Sequence, residues 1–299
     1  MTQPLPRISI VVPCFQAAAT LEATLLSLFE QTYPDLQIIV MDGGSTDGSV
    51  EIIERYADRL AFWVSAKDAG QVDALNKGFA KADGDVFGWL CADDRLLPGA
   101  LHRVAREFTA DPTIDVVTGG CTRDFDGKSV VYTQPAPDFI ERLFITNTVE
   151  QPSTFWRAAL HRRIGAVDGS MRYAFDWELW CRFTRAGARW KAIPDLLSVY
   201  YFSTTNLTST GGRKIVDEMY RIVKTYGPYK GKIADVYMFL YKTFDLRGFY
   251  DPGARETMPA WKLAIFYFVL RWLYKRYDPA SINAYNWNFA SRQERGLTW

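Results

Sequence analysis

The sequence predicts an α/β protein with a mostly parallel sheet flanked by helices and a helical C-terminal extension. In the first 120 residues, short apolar runs recur between segments with helical spacing of their apolar residues. The runs are apolar throughout instead of alternating, which is typical of parallel strands buried on both faces. From residue 213 onward the pattern is helical and basic. We therefore expect one domain over residues 1–212 and a basic, aromatic-rich helical region over 213–299.

Each element follows from its local pattern. Strands are predicted at residues 8–13, 36–41, 61–64 and 86–90, where β-branched and aromatic residues cluster. Helices are predicted over about 18–31, 49–56 and 70–82. Beyond residue 120 the pattern weakens into short strands and turns, and a helix over 175–187 is the clearest later element.

Composition limits the classes of function. The chain has 299 residues, of which 48% are hydrophobic and 23% charged, enough apolar content for a large core. A net charge of +1 argues against a nucleic-acid partner. Residues 213–299 carry 15 basic against 8 acidic residues, so this region suggests peripheral contact with an anionic membrane or an oligomer interface. A packed helical cap explains the same residues equally well.

The sequence also indicates a cellular location. The first residues lack the apolar stretch of a secretory signal, and the longest uncharged apolar run, 263–270, is far shorter than the ~20 residues that span a bilayer. Four scattered cysteines fit a reducing compartment. We expect a cytoplasmic protein that can contact the inner face of the cytoplasmic membrane.

In sheets of this kind, ligands bind beyond the C-terminal ends of the strands. The residues that follow the four strands, 13–16, 42–47, 66–71 and 91–94, should therefore converge on one rim. One of these segments, "VMDGGSTDGS" (40–49), is rich in glycine and aspartate. Its spacing fits neither a calcium loop nor a familiar phosphate loop.

The segment "CADD" (91–94) places adjacent carboxylates directly after a buried strand. Carboxylates that share a site repel each other, and a bound cation relieves the repulsion. Two carboxylates with open positions for substrate phosphates are typical of Mg²⁺ or Mn²⁺ sites. Alternatively, Asp93 caps the helix that starts near Pro98 or faces water.

Two long segments, "ISIVVPCFQAAATLEATLLSLFEQTYPDLQIIVMDGGSTDGS" and "DAGQVDALNKGFAKADGDVFGWLCADDRLLPGAL", together resemble the N-terminal half of a family 2 glycosyltransferase with the GT-A fold. The match runs over about residues 7–101 and thins toward 210. The resemblance implies transfer of a sugar from a nucleotide diphosphate, with a family-level preference for uridine. It also implies that a glycan or a lipid-linked acceptor receives the sugar.

The resemblance also implies roles for individual residues. Asp42 and Asp68 would contact the base, Asn76 and Lys77 the diphosphate, and Asp93 with Asp94 the divalent metal, Mn²⁺ or Mg²⁺. Cys91 departs from the family pattern, which usually has Asp or Asn there. The whole implied nucleotide-sugar pocket contains Pro13, Cys14, Phe15, Asp42, Asp68, Gln71, Asn76, Lys77, Ala92 and Asp93.

The resemblance places the catalytic base in "FDWELWCR" (175–182), where Asp176 would deprotonate the acceptor hydroxyl and the configuration would invert. Its aromatic neighbours should desolvate Asp176, which would raise its pKa and make it a better base. Glu178 is the rival base, and a helix N-cap is the competing role for Asp176. The predicted acceptor side contains Gln151, Trp156, Trp177 and Glu178, with core burial as the competing role for Trp156.

A second departure lies in "VYYFSTTNLTS" (199–209), which lacks the His that many relatives carry there. Ser203, Thr204 or water would have to replace it, so weak metal affinity is expected.

Two other classes of protein are alternatives to a glycosyltransferase. A nucleotidylyltransferase would need a glycine-rich, Arg-containing loop after the first strand, which "PCFQAAAT" is not. A catalytically degenerate GT-A scaffold or carbohydrate-binding protein stays open because of Cys91 and the missing His.

Overall fold

The computed structural model describes residues 4–125, 127, 130–202, 206–207, 211, 213–244, 259–278 and 281. The chain divides into two compact units. The first contains Met1–Pro137 and Val149–Phe202, and the second contains Asp138–Thr148 and Ser203–Trp299. The domain boundary expected near residue 212 stays a prediction.

Within the described residues, nine strands of the first unit form one sheet in the order β3-β2-β1-β4-β8-β6-β9-β5, and β7 pairs with β6. Parallel pairings contribute most of the paired residues. The strands are β1 (Ile8–Cys14), β2 (Leu36–Asp42), β3 (Phe62–Ser65), β4 (Val86–Trp89), β5 (Arg95–Leu96), β6 (Val116–Asp124), β7 (Val130–Thr133), β8 (Thr154–Arg157) and β9 (Trp190–Tyr201).

The helices of the first unit connect these strands. They are α1 (Leu21–Phe29), α2 (Ser49–Arg55), α3 (Gln71–Phe79), α4 (Ala100–Ala110), α6 (Ala158–Ile164) and α7 (Phe175–Arg185). The first four predicted strands and their intervening helices are confirmed, with ends that differ by a few residues. The predicted α/β class with a mostly parallel, helix-flanked sheet is confirmed as well.

The expectation of only short strands after residue 120 is wrong for β9, which is 12 residues long. This strand contains Pro194, which lacks the backbone N–H that a ladder requires. The pairing of β9 with β6 is irregular between Thr118 and Gly120, and Pro194 falls inside that irregularity. The proline therefore interrupts the strand pattern in the sequence without ending the strand in the fold.

A cluster of aromatic rings packs α7 and α6 against the centre of the sheet. Trp180 of α7 stacks on Trp89 of β4, with ring centroids 5.6 Å apart and an interplanar angle of 9°. Trp156 of β8 contacts both rings edge-on. Further members of the cluster are Phe79, Phe87, His161, Phe175, Phe183 and Trp190.

The second unit is helical in the residues described. It contains α5 (Phe139–Arg142), α8 (Arg213–Tyr226), α9 (Lys232–Phe244) and α10 (Ala260–Leu273). Phe244 and Phe266 join α9 to α10, with ring centroids 4.9 Å apart. In the described part of the chain, every helix is too short or too polar to cross a bilayer.

His161 supplies a pH-dependent contribution to the stability of this fold. It lies buried among the rings of Phe79 and Phe87. Burial, followed by the charges of Arg182 and Arg162, lowers its pKa from 6.5 to about 4. Since the unfolded state binds the proton more readily, the contribution of His161 is fully present above pH 6.5. It is lost as the pH falls toward 4.

We expect His161→Phe to lose less stability than the wild type between pH 7.5 and pH 5.5, by about 1 kcal/mol. Urea denaturation at the two pH values measures the difference. The matched control is His102→Phe, which changes the other histidine of the chain. If both variants keep the pH dependence of the wild type, the buried imidazole does not titrate as described.

Candidate active site

Asp42 organises the turn that follows β2. Its carboxylate accepts hydrogen bonds from the backbone N–H groups of Gly44 and Ser45 at 3.0 and 2.9 Å. The hydroxyls of Ser45 and Ser65 donate to it at 2.5 and 2.6 Å. Burial alone would raise the pKa of Asp42, but these hydrogen bonds outweigh burial and hold the pKa below its usual range. The negative charge of Asp42 is therefore stabilised by hydrogen bonds within the protein.

Gly43 lies where three of the predicted rim segments meet. A Cβ on Gly43 would stand 3.0 Å from Asp68 Oδ2 and 3.2 Å from the ring of Phe15. The Phe15 side chain is 65% exposed, so one side of its ring is open. Only glycine leaves this space unfilled, and the predicted convergence of the rim is confirmed here.

The residues just before Phe15 are buried. Pro13 and Cys14 are the last residues of β1, and Cys14 pairs with Asp42 across the ladder. Burial, together with the charge of Asp42, raises the pKa of the Cys14 thiol to about 12. These two residues contribute backbone and shape to the rim, and the thiol stays protonated.

Helix α3 carries three predicted donor-site residues, and the structure gives each a protein partner. The amide of Asn76 donates to the carbonyl of Val167 and accepts from its N–H, both at 2.9 Å. Lys77 forms an ion pair with Asp73 at 2.7 Å on an exposed face. Asn76 thus ties α3 to the segment before α7, and its amide does not point into an open site.

Cys91 begins the turn after β4 and lies between two glutamines. The amide nitrogen of Gln71 donates to Cys91 Sγ at 3.1 Å, and the thiol contacts Gln151 Oε1 at 3.6 Å. The other end of the Gln151 amide donates to the carbonyl of Trp89 at 2.8 Å. Burial, followed by the charges of Asp94 and Asp93, raises the pKa of Cys91 well above its usual value.

Asp94 is fully buried and only partly satisfied. Its Oδ1 accepts the N–H of Tyr201 at 3.1 Å, whereas Oδ2 has no hydrogen-bond partner among the described residues. Burial, then the neighbouring charge of Asp93, raises the pKa of Asp94 well above its usual range. Ala92, between Cys91 and Asp93, is also buried. A buried carboxylate oxygen without a donor is costly unless a cation neutralises it.

The donor set of this turn fits a divalent cation. The ligand atoms of Cys91, Asp93 and Asp94 all lie within 4.8 Å of one another. Two carboxylates suit Mg²⁺ or Mn²⁺, and the protonated thiol of Cys91 adds little to such a site. Asp93 does not cap α4, because that helix begins at Ala100 after Gly99 and has no side-chain cap.

Asp176 lies in the first turn of α7 and is partly buried. The N-cap position is occupied by Ala174, so the capping role considered for Asp176 does not apply. The charge of Asp176 is among the smaller influences that raise the pKa of Cys91, after burial and the charges of Asp94 and Asp93. The predicted base therefore acts electrostatically on the same turn as the candidate metal ligands.

Glu178, the rival base, has a structural role in this fold. Both of its carboxylate oxygens accept from Nε of Arg182, at 3.0 and 2.8 Å, and the side chain is buried. The same guanidinium donates to the carbonyls of Ile164 and Ala166. Glu178 thereby orients the arginine that closes the end of α6.

The predicted acceptor-side tryptophans belong to the core. Trp156 is 0% exposed and Trp177 is 2% exposed. A ring that stacks on a sugar needs an open face, and neither side chain has one in this structure. Gln151 is half-buried and held by Trp89 and Cys91, as described above. Burial thus removes Trp156, Trp177 and Glu178 from the surface that an acceptor could contact.

Two residues near Asp94 were not predicted from the sequence. Tyr201 supplies the N–H that Asp94 accepts from 107 positions away. Glu150 is buried, forms an ion pair with Arg123 at 2.8 Å and adds a negative charge near Asp94. Glu150 adjoins Gln151 in "EQPSTFWR", but no sequence pattern distinguishes it. The expected His substitutes, Ser203 and Thr204, lie outside the described residues.

A sequence model described as glycosyl transferase family 2 matches residues 9–164, which is more than half of the chain. The chain belongs to glycosyl transferase family 2. The match contains β1 through α6, including the Asp42 loop and the 91–94 turn. It ends before α7, so Asp176 lies beyond it.

Curated relatives agree with this family. A PGL/p-HBAD biosynthesis glycosyltransferase of Mycobacterium bovis is 30% identical over 177 residues, which cover 58% of this chain and 68% of the relative. An uncharacterised glycosyltransferase of Rickettsia typhi is 26% identical over 192 residues, covering 61% of this chain. The match spans only 60% of the length of that Rickettsia relative.

Solved structures share the fold of this family 2 chain. TarS 1–349 of S. aureus in complex with UDP-GlcNAc has a TM-score of 0.60 and 14% identity, covering 81% of this chain and 75% of that one. The mannosyltransferase PcManGT of Pyrobaculum calidifontis, in complex with GDP-Man and Mn²⁺, has a TM-score of 0.58 and 19% identity. That similarity covers 99% of this chain and 88% of PcManGT. The predicted GT-A fold is confirmed.

The unsatisfied oxygen of Asp94 leads to a stability prediction. In EDTA at pH 7, Asp94→Asn should be more stable than the wild type by about 1 kcal/mol, because the wild type must either bury the ionised carboxylate or protonate it, and the neutral amide avoids both costs. Mn²⁺ should raise the melting temperature of the wild type and leave that of the variant unchanged. Differential scanning fluorimetry with and without Mn²⁺ measures both effects.

The exposed Asp58 supplies the matched control, and Asp58→Asn should respond to Mn²⁺ as the wild type does. If Asp94→Asn is destabilised in EDTA yet still stabilised by Mn²⁺, Asp94 does not hold the cation.

Proposed function

We propose that this family 2 protein transfers a sugar from a nucleoside diphosphate donor to an acceptor hydroxyl, with inversion at the anomeric carbon. The observation that carries the proposal is the pairing of two acidic centres. Asp176 lies one helical turn before Trp180, whose ring stacks on Trp89 two residues before Cys91, and the Cys91 turn holds Asp93 and the unsatisfied oxygen of Asp94. A base and a candidate diphosphate–metal site on one rim are what a single-displacement transfer requires.

The donor is inferred to be a nucleotide sugar, with a UDP-sugar as the first candidate. TarS was solved with UDP-GlcNAc and PcManGT with GDP-Man, so both fold relatives hold nucleotide sugars. In this chain, the open face of Phe15 beside Gly43 suits a flat base. Asp68 borders the same space and can accept an N–H from the base, whereas the oxygens of Asp42 already accept four hydrogen bonds.

Asp93 and Asp94 are the residues proposed to hold the divalent cation, with Mn²⁺ as the first candidate because PcManGT contains it. When bound, such an ion neutralises charge that develops on a leaving diphosphate. Lys77 could add a positive charge, but it would first have to leave its ion pair with Asp73. The protonated Cys91 adds no charge to the set, so we expect the affinity for the cation to be weak.

Asp176 is proposed as the general base. Its carboxylate takes the proton from the acceptor hydroxyl as the oxygen bonds to C1 of the sugar. The bond from C1 to the diphosphate oxygen breaks, and the nucleoside diphosphate leaves with the electron pair. A single displacement inverts the configuration and requires no covalent sugar–enzyme intermediate. The fixed position of α7, set by the rings of Trp89 and Trp180, supplies the orientation.

The acceptor is proposed to be a glycan or a lipid-linked hydroxyl compound. The mycobacterial relative is named a PGL/p-HBAD biosynthesis glycosyltransferase, which supports a role in biosynthesis at the level of analogy. Since Trp156, Trp177 and Glu178 are buried, the acceptor contacts must come from other residues.

A second candidate is a family 2 scaffold that binds nucleotide sugars without transferring them. Cys91 favours it, because a protonated thiol stands where the family usually has Asp or Asn. The two candidates differ in what Asp176 does: a transferase needs the carboxylate, and a scaffold does not.

We expect Asp176→Asn to reduce transfer by about 10²–10⁴-fold, since the amide cannot take the acceptor proton. Binding of the nucleoside diphosphate should stay within about twofold of the wild type, because Asp176 faces the acceptor. The matched control is Glu51→Gln, which removes an exposed carboxylate from the first turn of α2. Release of UDP or GDP from the corresponding donors measures turnover. If Asp176→Asn is as active as the wild type, the base assignment is wrong.

Titration calorimetry with UDP and with GDP tests the donor and the cation together. We expect one of them to bind more tightly in Mn²⁺ than in EDTA, and Asp93→Asn to remove that difference. Equal affinity of the wild type in Mn²⁺ and in EDTA would contradict a cation at Asp93. Binding of neither nucleotide would contradict the proposed donor class.

A further inference from the structure

Helix α10 in the second unit presents an exposed apolar face. Trp261, Ile265, Phe268 and Trp272 are 67%, 49%, 74% and 57% exposed. Their spacing of four, three and four residues places them on one side of the helix. Because an α-helix rises 1.5 Å per residue, this apolar stripe is about 17 Å long.

The opposite face of α10 is already packed. Phe266, Leu270 and Leu273 are buried, and the ring of Phe266 contacts Phe244 of α9. The helix is therefore apolar on two faces, and a helix of that kind is normally covered all round. An exposed apolar stripe of this size is typical of a surface that binds a protein or a membrane.

Positive charge surrounds the stripe. Residues 259–277 contain four basic and no acidic residues. Lys275 and Arg276 are exposed and follow Trp272 by about one turn. Asp278, which also accepts hydrogen bonds from Ser281, is the first acidic residue after them.

A neighbouring turn adds further basic residues at that end of α10. The ring of Tyr277 packs edge-on against Tyr229 at 5.2 Å, and the Tyr229 hydroxyl accepts the N–H of Asp278 at 2.8 Å. These contacts bring the 229–232 turn alongside the end of the helix. Lys230 and Lys232, both exposed, follow Tyr229 within three residues, and Lys275 and Arg276 precede Tyr277 within two. We call these four residues the basic cluster.

We propose that α10 binds an anionic lipid surface, lying in the plane of the membrane interface. The stripe would enter the headgroup–acyl boundary, and the basic cluster would contact lipid phosphates. Trp261 and Trp272 at the two ends suit this depth, because indole rings favour the interface. A second copy of the chain would cover the apolar stripe but would bring a second basic cluster with it, in which Asp235 offsets part of the charge of Lys232 alone. The excess of positive charge favours lipid phosphate.

The test is flotation of the full chain with vesicles of phosphatidylcholine alone and of phosphatidylcholine with 30% phosphatidylglycerol, at low and at high salt. We expect binding to the anionic vesicles at low salt, weakened by high salt. Phe268→Ser with Trp272→Ser should weaken binding by about tenfold or more. Lys275→Gln with Arg276→Gln should weaken it about fivefold for each charge removed.

Matched controls change exposed residues of the first unit. Tyr132→Ser replaces an aromatic that is 69% exposed, and Lys191→Gln replaces an exposed lysine. Both should bind vesicles as the wild type does, and circular dichroism should show that all variants are folded. The experiment uses no sugar donor, so its outcome is independent of the proposed transferase activity.

Three results would overturn the proposal. The first is no binding of the wild type to anionic vesicles at low salt. The second is equal binding to neutral and anionic vesicles, which would remove the role of the basic cluster. The third is a dimer in light scattering that Phe268→Ser with Trp272→Ser converts to a monomer, without any vesicle binding; the stripe would then be an interface between copies.

Discussion

The packing of α7 on β4 is the constraint on which the candidate active site depends. Trp89 and Trp180 stack almost in parallel, and Trp156 closes the contact from the side. One of these rings precedes the Cys91 turn by two residues, and another lies one helical turn after Asp176. Because protein interiors are close-packed, the two acidic segments cannot shift relative to each other without disturbing these rings. The chemistry of the rim is therefore positioned by an apolar contact behind it.

Two buried aspartates, which lie at or beyond the ends of the two strands on either side of β1, differ in how their charge is stabilised. Asp42 accepts four hydrogen bonds, and its pKa lies below the usual range despite burial. Asp94 accepts one hydrogen bond to its carboxylate within the described residues, and its pKa lies well above that range. The charge of Asp42 is stabilised by the protein itself, whereas the buried carboxylate of Asp94 is neutralised only by a proton or by a cation. The same residue type therefore has a structural role at the end of β2, and after β4 it forms the candidate cation site.

Most of the secondary structure of the first 110 residues could be predicted from the sequence. Each predicted strand there is a continuous apolar run, and the helices have apolar residues at helical spacing. The positions of β9 and of the buried Glu150 could not. Pro194 interrupts the apolar pattern of β9, and the burial of Glu150 depends on Arg123, which lies 27 positions away. Local pattern also cannot distinguish a tryptophan that lines a pocket from one in the core, as Trp156 illustrates. The rim residues could be predicted because the ends of parallel strands converge. Their hydrogen-bond partners could not, because tertiary contacts determine them.

Hydrogen bonds fix the segment that leads into α7 and limit the movement of this part of the rim. Asn76 holds Val167 through both polar atoms of its amide, and Arg182 holds the carbonyls of Ile164 and Ala166. Opening this segment would break four hydrogen bonds at once, so its local unfolding is costly. The segment that leads into α7, and with it the start of the helix that carries Asp176, is therefore expected to keep its position while a ligand binds or leaves.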